Sequence, residues 1–416
     1  MSGTADREAL PEKVFDTPVT RQAKIRIYDR VFFFLGTLGA VWLAIVLAVL
    51  TPRLSWVSVL ALVLMWGVLA YLALPRLNRM MAAIYVPDYF IGRTRTSDGL
   101  LGDPLNLAVR GTGEQLATVM HQAGWILADP VTLQSSIAIV RSTLTRRSYP
   151  TAPVSPLLLF DRSQDAAYQQ EVEGNPAQRH HVRFWRTPEG WPLPGGAHVD
   201  WLAGGTYDRR VGLSLFTLQI THKIDADIDV ERDFIIETVT RAEPAVTVDV
   251  LRDFTTSYHS RNGGGDSVHT DGDLPILDVT AVVPDPAAPD LRPGPPSGVP
   301  LQVWLPALIN LVVVPFVAWS TLRTRWQIDA DHTLAATTLV GSLVIAVMSF
   351  TMYARSALAR RVLLAVAAFV GLTHLGGLVY DSTVLQSGHA LGAMVAILVL
   401  VALSSPKATD WTTRGS

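Results

Sequence analysis

The sequence predicts an α+β soluble domain inserted between transmembrane α-helices, with two membrane spans before it and four after it. Three observations carry this. Six stretches, 31–50, 54–74, 299–322, 333–353, 362–380 and 382–405, contain no Asp, Glu, Lys or Arg. Each approaches or exceeds the length of about 20 apolar residues that crosses a bilayer core of ~30 Å. Between the second and third lies a polar insert in which strand and helix periodicities mix. Behind the insert, the chain turns to Gly, Pro, Asp and Ser, with Gly263-Gly264-Gly265 and Pro293-Gly294-Pro295-Pro296 marking a linker.

The resulting order is a tail at 1–30, a transmembrane hairpin at 31–75, the α+β domain at 84–254, a linker at 255–298, a four-span segment at 299–405 and a second tail at 406–416. The sixth stretch is the weakest, because its apolar part starts near His389. No cleavable signal is read, since a charged tail precedes the first apolar run and no small-residue cleavage site follows it.

Orientation follows from the loop cations. Arg7, Lys13, Arg21, Lys24, Arg26, Arg30, Arg76, Arg79, Arg355, Arg360, Arg361, Lys407 and Arg414 fall on one side if every span crosses. Arg53, Arg323 and Arg325 fall on the other. The positive-inside rule then places both termini and the domain in the cytoplasm.

Composition narrows the function classes. Of 416 residues, 49% are apolar and only 17% charged, low for a soluble protein. A net charge of −2 provides no field for nucleic acid. The absence of Cys removes disulfides, thiolate metal sites and Cys nucleophiles.

Within the insert, Leu105–Val109 reads as a strand, followed by a Gly111-Thr112-Gly113 turn and a helix with Leu116, Val119 and Met120 at helical spacing. Pro156–Phe160, His180–Arg186, His198–Ala203 and Val211–Ile220 read as strands, Asp229–Arg241 as a helix and Ala245–Leu251 as a strand. Pro275–Val283 is an apolar patch suited to an edge strand. The Gly111–Glu114 turn lacks a nucleotide-loop pattern and reads as a turn with a helix N-cap.

Two stretches concentrate the unusual polar residues. In Arg179-His180-His181-Val182-Arg183-Phe184-Trp185, strand alternation puts His181, Arg183 and Trp185 on one face. With Arg179 they make an anion site: a guanidinium fork, an imidazole proton and an aromatic wall. The plainer reading is a partly buried strand whose Arg pairs with a neighbouring carboxylate. In Thr221–Asp233, His222, Asp225 and Asp227 offer an imidazole and carboxylates to a cation. The plainer reading has Asp229 capping the following helix, Glu231 at its positive end, and Asp225 and Asp227 pairing with Arg209 and Arg210. The two stretches are expected to meet in one polar site, with Asp208 as a third contributor. In the membrane segments, His374, His389 and Asp381 read as packing or hydrogen-bonding residues.

Gly102-Asp103-Pro104-Leu105-Asn106, Ala123-Gly124-Trp125, Tyr149–Ser155, Arg179–Trp185, Trp201–Asp208 and Thr221–Asp233 follow one another in an order that resembles the LssY C-terminal domain, a bacterial module often joined to membrane segments. The resemblance covers Gly102 to Glu243. It implies a membrane-bound protein of the bacterial inner membrane and brings no catalytic residues with it. Ser387-Gly388-His389 echoes a motif of membrane phosphatidic acid phosphatases, but Gln386 stands where that motif has Pro, and its partner motifs are absent.

The leading expectation is a membrane protein whose cytoplasmic domain binds an anionic small molecule or lipid headgroup through Arg179, Arg183, His181 and His222, with Trp185 as a wall. The second is a hydrolase of phosphate or carboxylate esters, with His181 or His222 as acid/base and Asp225 or Asp227 holding a metal or orienting the imidazole. The third is an envelope scaffold in which these residues are structural.

Overall fold

Residues 175–186 alternate between apolar and polar side chains that are all buried at their centre, the pattern of a strand covered on both faces. In the computed structural model this strand is central. The structure describes residues 27–49, 56–85, 90–130, 135, 138, 141, 148–160, 162–172, 175–214, 217–255, 261–291, 302–306, 308–309, 347–352, 354–380 and 389–413. The chain divides into two units, Met1–Lys24 with Asn78–Pro293, and Ile25–Leu77 with Gly294–Ser416.

The first unit is α+β. Its strands are β1 (Arg93–Thr96), β2 (Leu101–Pro104), β3 (Leu107–Arg110), β4 (Ile126–Leu127), β5 (Leu157–Leu159), β6 (Arg162–Ser163), β7 (Ala166–Val172), β8 (Asn175–Arg186), β9 (Trp201–Leu213), β10 (Ile220–Ile224), β11 (Thr247–Leu251) and β12 (Leu274–Asp278). The larger sheet has eight strands in the order β11-β12-β3-β9-β8-β7-β4, with β10 paired to β9. The smaller sheet runs β2-β1-β5-β6.

One face of the larger sheet packs on two helices, Gly113–Gln122 and Ile228–Ala242. Leu116, Val119, Met120, Ile235 and Val239 close a core with Val182, Phe184 and Ala203. The opposite face carries Trp185, Leu202 and Ile276, which meet Leu157 and Leu159 of the small sheet. Helix Gly113–Gln122 begins with a capping box, in which Thr112 Oγ1 accepts from Gln115 N at 3.2 Å and Gln115 Oε1 accepts from Thr112 N at 2.9 Å. The turn at Gly111 is therefore an N-cap, as its sequence indicates.

The close fit of helix to sheet depends on Gly205. A Cβ there would lie 2.4 Å from Ile235 Cδ1. Asn106 fastens the same place: its side chain bonds Gly205 O at 2.9 Å, Gly205 N at 2.9 Å and Ile228 O at 3.1 Å.

Three expectations change. Val211–Ile220 is not one strand: β9 ends at Leu213 and β10 starts at Ile220. The turn escapes notice because it contains none of the Gly, Pro, Asn or Asp that usually mark one. The patch at Pro275–Val283 is not at an edge: β12 runs parallel to β3, with Ile276 opposite Ala108, and antiparallel to β11. The expected linker at 255–298 therefore contains an interior strand, and its described residues 261–291 belong to the domain.

The second unit contains helices Ile27–Val49, Trp56–Val68, Leu74–Tyr85, Ala357–Tyr380, His389–Leu403 and Pro406–Thr413, with a π-helical turn at Leu69–Ala73; helix Leu74–Tyr85 continues into the first unit. Among the described residues one stretch, Ala357–His374, is long and apolar enough to cross a membrane. Arg30–Trp42 and Ala393–Leu403 are shorter apolar stretches. The six spans expected from sequence are thus reduced to one here. The second run is interrupted by its π-turn and passes into a helix bearing Arg76 and Arg79. Of the sixth, the described helix is His389–Leu403, and the residues before it lie outside the described ones. Most of 299–322 and 333–353, with Asp381, Arg53, Arg323 and Arg325, lies outside the described residues, as does the N-terminal tail through Arg26.

Two of the cations assigned to loops are buried instead. Arg76 bonds Val401 O, Ser404 Oγ at 3.1 Å and Phe33 O at 3.2 Å, and Arg360 bonds Leu403 O at 3.3 Å. Both meet the carbonyl end of helix His389–Leu403, where a cation is favoured.

Asn106→Ala removes three buried hydrogen bonds and is expected to lower stability by about 3 kcal/mol, read from chemical denaturation followed by tryptophan fluorescence.

Candidate functional site

Strand alternation aims Arg179, His181 and Arg183 away from the helices, at positions about 7 Å apart along β8. They face the space between the two sheets. There they line a cavity of about 320 Å³, within the range of small-molecule sites. Asp208 of β9 and His222 of β10 share it.

Register decides the pairing. Arg179 lies opposite Asp208 and His181 opposite Thr206. Arg179 Nε donates to Asp208 Oδ2 at 3.0 Å, and its Nη1 donates to Gln169 Oε1 at 2.9 Å. Arg183 Nη1 donates to Asp103 Oδ2 at 3.2 Å, and its Nε to Ser155 O at 3.1 Å. All four charged side chains of these two pairs are under 10% exposed. Between β9 and β10 the register shifts: Lys223 faces Arg210 but Ile224 faces Asp208. The extra residue in β9, Arg209, is a bulge that offsets the alternation by one. His222 thereby lines the same cavity as Asp208.

The remaining wall comes from residues 262–266. Asn262 Nδ2 donates to Asp103 Oδ1 at 3.2 Å, Lys223 Nζ pairs with Asp266 at 3.0 Å and donates to Gly264 O at 2.8 Å. Arg93 Nη2 bonds Gly102 O at 2.7 Å and Arg261 O at 3.2 Å. The glycines expected to give a mobile linker are thus part of the site.

Burial governs the imidazoles. His181 is 2% exposed, and its pKa is pushed down to about 3. Desolvation dominates, Asp208 opposes it, and Arg183 and Arg179 add to it. His222 is lowered in the same way. Burial opposes the charge of Asp208, but the Arg179 guanidinium bonded to it holds the carboxyl below the usual range. The inner site is therefore two guanidinium and two carboxylate groups with neutral imidazoles.

His181 Nε2 is 2.8 Å from Thr206 Oγ1, while its Nδ1 faces Asp208 Oδ2 at 3.6 Å, too long for a hydrogen bond. An Asp–His–hydroxyl order is present, yet Thr206 is fully buried and does not line the cavity. Its hydroxyl is a tether for the imidazole and not a nucleophile within a ligand's reach. His222 Nε2 is buried without a hydrogen-bond partner.

Residues 83–274 match the family described as LssY C-terminus. This stretch is an LssY C-terminal domain. No curated protein and no solved structure matches the chain. The match extends past the Gly102–Glu243 resemblance at both ends and takes in the 262–266 wall, so the whole cavity belongs to the LssY C-terminal domain.

Of the residues singled out by sequence, Arg179, His181, Arg183, His222 and Asp208 converge. Trp185 does not join them: it is fully buried among Leu202, Leu105 and Leu274 and is a core residue. Asp225 pairs with Arg209 at 3.5 Å, as one reading of the sequence has it, and lies outside the cavity lining. Asp227, not Asp229, caps helix Ile228–Ala242 by accepting from Asp229 N at 3.2 Å. Asp229 instead accepts from Thr270, Asp271 N and Arg232. His222, Asp225 and Asp227 therefore do not form a metal set, and no group of three or more ligating side chains is found among the described residues. The second stretch contributes its histidine to the cavity, and its acids go to the helix cap and to pairs with other side chains.

Sequence reading missed Asp103, Asn262, Lys223 and Asp266. Asp103 lies within Gly102–Asn106, but its role has no local signal because its partner Arg183 is 80 residues away. Glu231 also has a different job. On the helix side of β8 its Oε2 is 2.6 Å from His180 Nδ1, and the His180 ring stacks on Phe234.

Folded His181 stays neutral down to about pH 3, while the unfolded residue takes a proton near 6.5. The stability it contributes is fully present above 6.5 and is lost as pH falls toward 3. Denaturation midpoints are expected to fall with pH in that window, by up to about 1.4 kcal/mol per pH unit from this group, and His181→Gln flattens the slope. Asp208→Asn leaves the Arg179 charge buried without compensation and is expected to cost about 3–5 kcal/mol at neutral pH, read in the same assay.

Proposed function

We propose that the LssY C-terminal domain binds a small ligand bearing an oxyanion of phosphate or carboxylate type, in a protein held at a membrane by its apolar helices. One observation carries the reading. Arg179 and Arg183 each commit Nε and Nη1 to protein partners and leave Nη2 with none, in side chains that line one cavity. The Nε2 of His222 is also without a partner, and it is buried. A ligand's oxygens would meet the free guanidinium Nη2 groups with charge-assisted bonds.

Asp208 and Asp103 orient the two arginines and offset their charge, and Asp98 and Asp266 also line the cavity, so an entering oxyanion would be held by directed Nη2 donors and not by net positive charge. His222, beside Asp208, is placed to donate to the bound group. The second reading is a hydrolase of phosphate or carboxylate esters. It rests on the same histidine, which would serve as acid or base at the bound ester while Asp208 holds its proton. Membrane attachment rests on Ala357–His374 and on the six uncharged stretches of the sequence. If all six uncharged stretches cross, the loop cations other than Arg76 and Arg360 would place the domain and both termini on the cytoplasmic side.

Thermal unfolding of the full chain in detergent tests the binding reading, with inorganic phosphate and glycerol 3-phosphate as probes. A ligand at a hundredfold its dissociation constant stabilises by about 2.7 kcal/mol. An upward shift of the transition is expected in the wild type and its loss in Arg183→Gln and His222→Gln. Equal transitions with and without either probe would refute it. Release of phosphate from a phosphate monoester, abolished by His222→Gln, would favour the hydrolase.

A further inference from the structure

Between β9 and β10 the sequence runs Leu213-Ser214-Leu215-Phe216-Thr217-Leu218-Gln219-Ile220, with no charge and five apolar residues, of which 215–216 lie outside the described ones. Hairpin turns are ordinarily built from Gly, Asn, Asp and Pro. Of the described apolar residues, Leu213 is 54% exposed, Ile220 58% and Leu218 36%. Leu213 and Ile220 face each other across the hairpin. Leu218 has φ = 56°, a left-handed conformation that a branched side chain rarely takes. An apolar residue held exposed in such a conformation is kept at a cost in stability, which points to a use.

Two further features set the tip apart from an ordinary exposed patch. Ser214, Thr217 and Gln219 line the cavity, so the same turn borders the site and presents its leucines and isoleucine outward. Just behind it, Arg209 and Arg210 are exposed where β9 bulges. Apolar side chains at a tip with cations one short step behind are the arrangement that suits a bilayer interface: the tip enters the acyl boundary and the cations meet anionic headgroups.

We propose that the β9–β10 tip inserts into the surface of an anionic bilayer through Leu213, Leu218 and Ile220, with Arg209 and Arg210 against the headgroups. The cavity bordered by the same turn is then presented to the lipid headgroup layer. This last step rests on the oxyanion-binding reading above; the insertion itself does not.

The chain contains no Cys, so single labels can be placed without background. The full chain is reconstituted in vesicles of phosphatidylcholine with phosphatidylglycerol, and an environment-sensitive fluorophore is attached to Ile220→Cys or Leu218→Cys. Val248→Cys, on the exposed edge strand β11 and 38% exposed, is the reference. An interfacial side chain lies ~5–10 Å into the headgroup boundary, so acyl-chain nitroxide lipids should remove about half or more of the tip emission and little of the reference emission. Arg209→Gln with Arg210→Gln should reduce the quenching, as should vesicles of phosphatidylcholine alone. Tip labels as water-exposed as the reference overturn the proposal. So does quenching that follows protein concentration and not the nitroxide lipid, since that outcome makes the tip a contact between copies of the chain. Unaltered thermal unfolding of the labelled variants excludes misfolding. Glycerol 3-phosphate stabilisation is measured separately: inserted tips without it sink the cavity reading and leave the insertion, and the reverse result sinks only the insertion.

Discussion

Arg179 and Arg183 are almost withdrawn from water, and the domain can hold them only because Asp208 and Asp103 stand within hydrogen-bond reach. A buried guanidinium without its carboxylate is among the costliest features a fold can contain. That constraint reaches far from the site. Asp208 must sit opposite Arg179, which fixes the register of β9 against β8. Asp103 must reach Arg183 from β2, which fixes the smaller sheet over the polar half of the larger one. Asp103 is also bonded to Asn262, so the chain that follows the helical part of the domain is drawn in to complete the wall.

The larger sheet divides its two faces by chemistry. On one, helices cover Val182 and Phe184 in an apolar core, stabilised by area removed from water. On the other, the apolar part around Trp185 gives way along the same strand to Arg183, His181 and Arg179. Such a face cannot be closed by a second apolar layer, since donors on both arginines and on His222 would stay unanswered. A cavity is the physical consequence, and its free donors are the groups that the proposed oxyanion would meet.

The bulge at Arg209 links this chemistry to the surface. By offsetting the alternation it turns His222 toward Asp208 while leaving Arg209 and Arg210 exposed. The hairpin beyond it is apolar where hairpins are usually polar. Cavity, cations and apolar tip therefore lie in sequence along one pair of strands, and the proposed oxyanion at a lipid surface would give each of the three a use.

The sequence by itself determined the α+β class, the alternation of β8 and the LssY C-terminal resemblance. These are legible because they depend on side-chain periods of two and on motifs contiguous in the chain. The meeting of the Arg-His-Arg stretch with Asp208 and His222 was decided by strand register and the bulge at Arg209. The roles of Asp225, Asp227 and Trp185 were decided only by tertiary structure. A carboxylate two residues before a helix and one at its cap look alike in sequence, and a tryptophan on a polar face looks like a wall until Leu105 and Leu274 close over it. The inward packing of β12 and of the 262–266 wall was hidden for the same reason. Gly and Pro report local flexibility, but whether a glycine-rich segment stays free or is clamped depends on partners such as Asp103 and Lys223, which come from distant parts of the chain.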